Sequence, residues 1–280
     1  MEFAMASTIN TNMSSMTAQR ALGSTQSSLS TSMQRLSTGL RINSAKDDSA
    51  GLAIAERMTS QVRGMAVASR NANDAISMAQ TAEGALGKIG ESLQRMRELS
   101  VQSSNSTNSS SDRANLDEEY QALSKEVSRV IEGTKFNGNQ LLNTGTAMSF
   151  QVGADNNTTT DTIDVNLTDI STGAGMAKVL AGGITSASQA LARMTNLDAA
   201  IDEVTSARSN LGSVQNRFES VVANLSTTSE NLQAAKGRIM DADFAVETSN
   251  MSRAQVLQQA GSAMLAQANQ APQQVMSLLR

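Results

Sequence analysis

The chain of 280 residues contains no cysteine, no histidine and no tryptophan, and its aromatic residues are five phenylalanines and a single tyrosine, Tyr120. Each absence removes a class of chemistry. Without His or Cys there is no Ser-His-Asp triad, no thiol nucleophile, no HExxH zinc site and no zinc ribbon. No disulfide can form, which leaves the redox compartment unread and secretion permitted. Compact cores usually draw much of their buried area from aromatic rings. Here the core has to come from Leu, Ile, Val, Met and Ala, which suits long helices packed side by side. The length alone predicts about two domains, or one elongated one.

Charge is scarce in one sense only: 22 basic residues face 26 acidic ones, for a net charge of −4. The basic residues are scattered, so nucleic-acid binding through a basic surface is not expected. No run approaches the roughly 18–20 apolar residues of a membrane span, so no membrane insertion is expected. The basic-then-apolar pattern of a cleaved signal peptide is missing from the start of the chain, where Met13 to Thr38 is rich in Ser and Thr. If the protein is secreted, the expected route is one that reads no such signal.

What the chain has is heptads. Leu22, Leu29 and Leu36 are seven apart, with Met33 and Leu40 on an adjoining seam. Leu211, Phe218, Leu225, Leu232, Ile239 and Val246 continue the same spacing in the second half, and after a change of phase so do Leu257, Met264, Ala271 and Leu278. A narrow stripe at this period is a coiled-coil seam, and its persistence predicts left-handed supercoiling with partner helices. Two further helices are expected, one over 73–101 on Ala75, Ala82, Ile89 and Met96, the other over 112–131 on Leu116, Tyr120, Leu123, Val127 and Val130. The polar stretch 103–111 reads as a reversal, with Asp112 as the N-cap of the second of these helices.

The middle of the chain changes period. Asn137-Gly138 signals a turn, and Phe150 and Val152, then Ile163, Val165 and Leu167, alternate with polar residues around the polar stretch 155–160. A small β-hairpin is expected there. Gly173, Gly175, Gly182 and Gly183 read as an irregular connection before a last long helix starting near Ser186. The predicted fold is therefore mainly α: an elongated antiparallel helical coiled-coil bundle built from both chain ends, with a small β-hairpin element between them.

Several segments resemble bacterial flagellins. The run from Gln34 to Leu52 (QRLSTGLRINSAKDDSAGL) is similar to the family's amino-terminal signature, as are Ile9-Asn10-Thr11-Asn12 and Ser69-Arg70-Asn71-Ala72-Asn73-Asp74. Thr81 to Leu86, Phe136-Asn137-Gly138, Phe150 to Gly153 and Arg238 to Ala245 also look like family motifs, in the family's order at both ends. The resemblance covers Met5 to about Val152 and Ser186 to Arg280. It departs in the centre, where 153–185 is too short for an ordinary outer domain. The organisation it implies is a terminal inner core of residues 5–43 and 243–280, a helical middle domain of 44–152 and 186–242, and a hairpin and Gly-rich remnant at 153–185. Residues 1–4 read as a vector-derived scar because Glu2-Phe3 matches a common cloning site, with a native extension as the alternative.

The resemblance implies a structural subunit that self-assembles into the flagellar filament used for motility. The assembly seam then comprises Leu22, Leu29, Leu36, Leu211, Phe218, Leu225, Leu232, Ile239, Val246, Leu257, Met264 and Leu278. The implied partners are further copies of the chain in a helical homopolymer, the flagellar export apparatus with a secretion chaperone, hook-associated and cap proteins, and the host's flagellin-sensing Toll-like receptor. Leu93, Gln94, Arg95, Glu98, Leu99 and Glu119 match the receptor-contacting positions. Physically, Leu93, Met96 and Leu99 also suit a helix seam, with Arg95 and Glu98 on an exposed strip. Val275, Leu278 and Leu279 look like the tail read by cytosolic flagellin sensors, and are equally ordinary heptad positions.

No enzyme is expected and no cofactor. Asp117, Glu118 and Glu119, or Asp202 and Glu203, have the residue types for acid–base work, but on such helices they read as solvated or ion-paired faces. Lys46-Asp47-Asp48 reads as a charged turn capping a helix rather than a metal site. Flagellins with a metallopeptidase insert need a His pair, which this chain lacks. The alternative to a filament subunit is a hook–filament junction protein, which shares terminal heptads.

Overall fold

The computed structural model describes the backbone of residues 11–278 and the side chains of residues 11–270. The chain forms six helices and four short strands among the described residues: α1 (Met13–Thr38), α2 (Ser49–Ser104), α3 (Ser110–Gly133), β1 (Lys135–Phe136), β2 (Asn139–Gln140), β3 (Ala147–Gln151), β4 (Thr162–Asn166), α4 (Ala174–Leu180), α5 (Ala187–Met240) and α6 (Phe244–Leu278). They divide into two compact units, one of residues 1–60 and 232–280 and the other of residues 61–231. The divisions fall inside α2 and α5.

In the terminal unit α1 and α6 pack antiparallel. Asn12 Nδ2 donates to the Ala268 carbonyl at 2.8 Å, Gln258 Nε2 to Gln26 Oε1 at 2.6 Å, and Arg35 lies 3.8 Å from Glu247, so residue numbers rise on one helix as they fall on the other. Asn12 caps α1 by accepting from the Ser15 N–H, and Gly39 ends it at φ 72°, a left-handed position glycine takes without penalty. The seam between the two helices is thin. Its buried residues, among those described, are Leu29 and Ala254 with Ser15, Ser32 and Glu247.

The helix breaks on either side of this pair are joined by backbone. Leu40 and Asp241 form an antiparallel bridge, the Arg41 N–H donates to the Met240 carbonyl at 2.6 Å, and the Ala242 N–H to the Gly39 carbonyl at 2.9 Å. Asp47 accepts from the N–H groups of Asn43 and Ser44 and from the Ser44 hydroxyl; these bonds hold its carboxyl below the usual range. Asp48 caps α2 by accepting from the Gly51 N–H at 2.8 Å. The turn at 46–48 is a cap, as its charges suggest.

The middle unit has the larger core. Ala75, Ala82, Ile89 and Met96 of α2, spaced seven apart, are all essentially inaccessible, and they pack with Tyr120, Val127 and Ile131 of α3 and Leu197, Val204, Leu211 and Phe218 of α5. The hairpin β3–β4 pairs Phe150 with Ile163 and Met148 with Val165. It turns Ile163 and Val165 into this core, while the Phe150 ring meets the Phe218 ring edge-on at 5.7 Å. The turn between β1 and β2 holds Asn137 at φ 49° and Gly138 at φ 85°, the left-handed pair that a two-residue hairpin needs.

Three expectations need correcting. The helix around Ile89 begins at Ser49, well before residue 73. Ser109, not Asp112, is the N-cap of α3: Ser109 accepts from the Asp112 N–H, and Asp112 at the third helical position returns a bond to the Ser109 N–H, closing a capping box. The glycines of 173–183 frame a helix, α4, in place of an irregular connection. Gly175 lets that helix approach α5 so closely that a Cβ would stand 2.5 Å from the Ala200 nitrogen.

Candidate assembly surfaces and the Arg95 strip

The seven-residue series divides by burial. Leu211 and Phe218 are in the middle unit's core, whereas Leu225, Leu232 and Ile239 are half-buried. Val246 was expected to continue the α5 seam. It lies beyond the break at 241–243, in the first turn of α6, because Asp243 starts a new helix by accepting from the Ala245 and Val246 N–H groups. There Val246 is 54% exposed. Leu29 is buried against α6 and Leu22 and Leu36 are half-buried, but Leu257 and Met264 are 52% and 65% exposed. Leu278 closes α6 at a position whose side chain lies outside the described residues, as does that of Val275; Leu279 lies outside them altogether.

Two grooves run along the α1–α6 pair. One, of about 640 Å³, is mostly apolar and lined by Met13, Ala18, Leu22, Leu257, Gly261 and Met264. Gly261 lets the two helices approach closely beside it, since a Cβ there would press to 3.3 Å from Leu22 Cδ1. The other, of about 520 Å³, is polar, with Ser28, Ser32, Arg35, Glu247 and Arg253 on its walls. Large apolar side chains on a helix face, beside a seam that buries few of them, are surfaces made for further helices.

The Arg95 strip sits on α2 where it faces α3. Leu93, Met96 and Leu99 point inward and are at most 1% exposed, while Gln94, Arg95 and Glu98 face solvent. Arg95 Nε and Nη2 both approach Glu119 Oε1 at 2.9 Å, and Nη1 approaches Glu98 Oε2 at 2.9 Å. The hydrogen bonds to Glu98 and Glu119 raise the guanidinium pKa, so its charge is fixed. Of the six candidate recognition residues, four therefore share one exposed surface. Leu93 and Leu99 do not: they are core.

Some pairings left no signal in the sequence. Arg97 Nε meets Asp198 Oδ1 of α5 at 2.6 Å, a contact between residues 101 apart. Glu203 accepts from the N–H groups of Gly175 and Met176, and Asp117 from that of Ile184 at 2.6 Å. These two carboxylates are thus fastened to backbone N–H groups instead of lying on a solvated face. Tyr120 is the helix-seam residue expected, and burial pushes its phenol up to about 12.

Comparison with known proteins separates the ends of the chain from its centre. Residues 9–147 match the bacterial flagellin N-terminal helical region, and residues 194–279 the bacterial flagellin C-terminal helical region. A flagellin of Halalkalibacterium halodurans is 46% identical over 273 residues, covering 97% of this chain and 99% of the relative. Flagellin D of Vibrio anguillarum is 38% identical over an alignment of 376 residues, longer than this chain, so it carries residues with no counterpart here. Among solved structures, Bacillus cereus flagellin matches 60% of this chain and 94% of its own at 30% identity and a TM-score of 0.50. A chain described as a flagellar hook-associated protein from Vibrio parahaemolyticus matches 70% of this one at 16% identity and a TM-score of 0.59, a likeness of fold alone.

Proposed function

This chain belongs to the bacterial flagellin family, in a short form, and we propose on that premise that the exposed faces of α1 and α6 are where one filament subunit meets the next. Flagellins self-polymerise into the extracellular flagellar filament, and the role is structural. The observation that carries the reading is the exposure of Val246, Leu257 and Met264, seam residues of two seven-residue series that no described residue of the chain covers. Identical subunits joined through unlike faces do not close into a ring but extend into a helical tube. The ends, residues 5–43 and 243–280, are then the inner core of that tube, and 44–152 with 186–242 the surrounding middle domain.

The thin α1–α6 seam supports a second element: these helices gain most of their order on assembly. Fixing a backbone residue costs roughly 1–2 kcal/mol, and the few large apolar side chains buried here return much less. A chain with weakly ordered ends suits export through a narrow conduit, with a secretion chaperone covering the carboxyl-terminal segment, and delivery to a growing end bounded by hook-associated and cap proteins. Recognition by the flagellin-sensing Toll-like receptor belongs to Gln94, Arg95, Glu98 and Glu119, which share one exposed strip. Val275, Leu278 and Leu279 are proposed as the tail met by cytosolic sensors.

A hook–filament junction role is the weaker reading, since the likeness to the hook-associated protein is at 16% identity against 46% for a flagellin. Seeded growth decides between them. Purified protein added to short filament fragments should extend them into long tubes of uniform diameter under the electron microscope. Capping of the fragments without extension would favour the junction role, and no interaction would refute both.

A further inference from the structure

Six described methionines, Met58, Met65, Met148, Met194, Met240 and Met251, are half-buried, and the extremes of exposure separate by unit. Among the described residues, the exposed ones are Met13, Met16, Met33 and Met264, at 58%, 50%, 56% and 65%, and all four lie on α1 and α6. Met78, Met96 and Met176 are at most 1% exposed, and all three lie in the core of the middle unit. Met13 and Met264 stand on the walls of the same apolar groove. A thioether is a good filler for a surface that must be wetted in one state and packed in another, being apolar, unbranched and polarizable. It is also the side chain most readily turned from apolar to polar without breaking a bond of the carbon skeleton.

We infer that the sulfurs of Met13, Met16, Met33 and Met264 are oxidation sites through which a two-electron oxidant, a peroxide or hypochlorous acid, switches off self-assembly while leaving the middle unit folded. The sulfur lone pair attacks the terminal oxygen of the peroxide. The O–O bond breaks, one oxygen stays on sulfur as the sulfoxide, and the other leaves as water after proton transfer. Sulfur loses two electrons and the peroxide gains them. With hypochlorous acid the O–Cl bond breaks and chloride and a proton leave instead. The product is a strong hydrogen-bond acceptor, and packing it against a neighbouring apolar helix leaves it without a donor. Access governs the rate of such reactions, so the buried Met78, Met96 and Met176 react last and the core is spared. A sulfoxide is reducible by methionine sulfoxide reductases, so the block is reversible.

The inference rests on the assembly reading and is tested separately from it. Unassembled full-length protein is treated with hydrogen peroxide to partial oxidation, quenched, seeded with filament fragments and sedimented. Peptide mass spectrometry then gives the sulfoxide occupancy of every methionine in pellet and supernatant. The four sites should be enriched in the supernatant by roughly tenfold over the pellet, the factor a contact worth about 1.4 kcal/mol produces. Reductase treatment should restore elongation, and the melting of the middle unit should be unchanged. Equal occupancy in pellet and supernatant would overturn the inference. So would an equal loss of elongation in M13L/M16L/M33L/M264L, which cannot be oxidised at these positions. Should that variant not elongate untreated, M13L/M264L and M16L/M33L make the same comparison in halves. Failure of the untreated parent protein to elongate seeds would instead overturn the assembly reading, and this inference with it.

Discussion

Arg95 of α2 places two nitrogens 2.9 Å from a single carboxylate oxygen of Glu119 on α3, while Glu98 holds the third nitrogen at the same distance. The guanidinium is thereby held at the surface by two carboxylates, on a helix whose Leu93 and Leu99 are buried. Arg95→Ala should lower potency at the flagellin-sensing Toll-like receptor by roughly tenfold or more, because a central arginine contact commonly carries at least that much. Exposed ion pairs add little to folding, so the melting temperature should barely move. Leu93→Ala should do the reverse first, costing about 2–5 kcal/mol of stability by opening a core cavity. A reporter-cell dose response with monomeric protein, read beside thermal melts, separates the two; unchanged potency for the folded Arg95→Ala protein would remove the strip from recognition.

Leu257 is half exposed on α6 and borders the apolar groove. Leu257→Asp should leave the stability of the unassembled chain within about 0.5 kcal/mol of the parent. In a helix–helix interface, the same carboxylate without a partner costs several kcal/mol per subunit. Sedimentation of seeded protein should show no polymer. Full-length filaments from this variant would mean that the groove faces solvent in the assembled state.

Ordering on assembly predicts a protease map. In dilute monomer, trypsin should cut first at Arg20, Arg35 and Arg253 and then trim to a fragment bounded by Arg41 and Arg238. Arg113 is the internal site to watch, although its guanidinium is held by the Ser103 and Asn105 carbonyls. In filaments the terminal sites should resist. Equal resistance of ends and middle in the monomer would refute coupled folding and assembly.

Gly175 has no room for a methyl group, as its Cβ would collide with the backbone of Ala199 and Ala200. Gly175→Ala should push α4 off α5 and destabilise the middle unit by about 1–3 kcal/mol, in the range of overpacked cores. Urea unfolding followed by circular dichroism measures it. A neutral result would show that α4 can slide without loss.

The capping box of α3 gives a pH-dependent effect. Ser109→Ala should cost about 1 kcal/mol at neutral pH. The bonds from the Ser109 hydroxyl and N–H hold the Asp112 carboxyl below its usual range, so its contribution is fully present above the unfolded value of about 3.9 and is lost as the pH falls through the lowered folded value. The difference between parent and variant in urea melts should shrink on acidification across that window. A constant difference would mean that the serine acts without the carboxylate.

The helices were legible because a seven-residue period survives any tertiary context: Ala75, Ala82, Ile89 and Met96 announce their buried face without reference to a partner. Residues 49–72 hid their helix, since Ile54 and Val67 remain exposed and no clean stripe forms there. Val246 kept the spacing of Leu232 and Ile239 through a helix break, because a three-residue interruption capped by Asp243 changes the helix and not the interval. Helix α4 was masked by glycines whose role is close approach, a property of the surface opposite. Arg95 and Glu98 could be read from one helix, but Glu203 and Asp117 meet backbone brought from elsewhere in the chain, and no spacing foretells that.

The backbone bridge between residues 39–41 and 240–242 also acts as the origin of a coordinate frame. Counting outward from it, Arg35 meets Glu247, Gln26 meets Gln258 and Asn12 meets Ala268. Everything between residues 42 and 239 lies on the other side of that origin along the chain. An insertion in the connection between Gln151 and Thr162 lengthens a loop, at a cost that grows only logarithmically with its size, and shifts no pair in the terminal helices. Sequence can thus be gained or shed between the two ends while the pairing of α1 with α6 keeps its register.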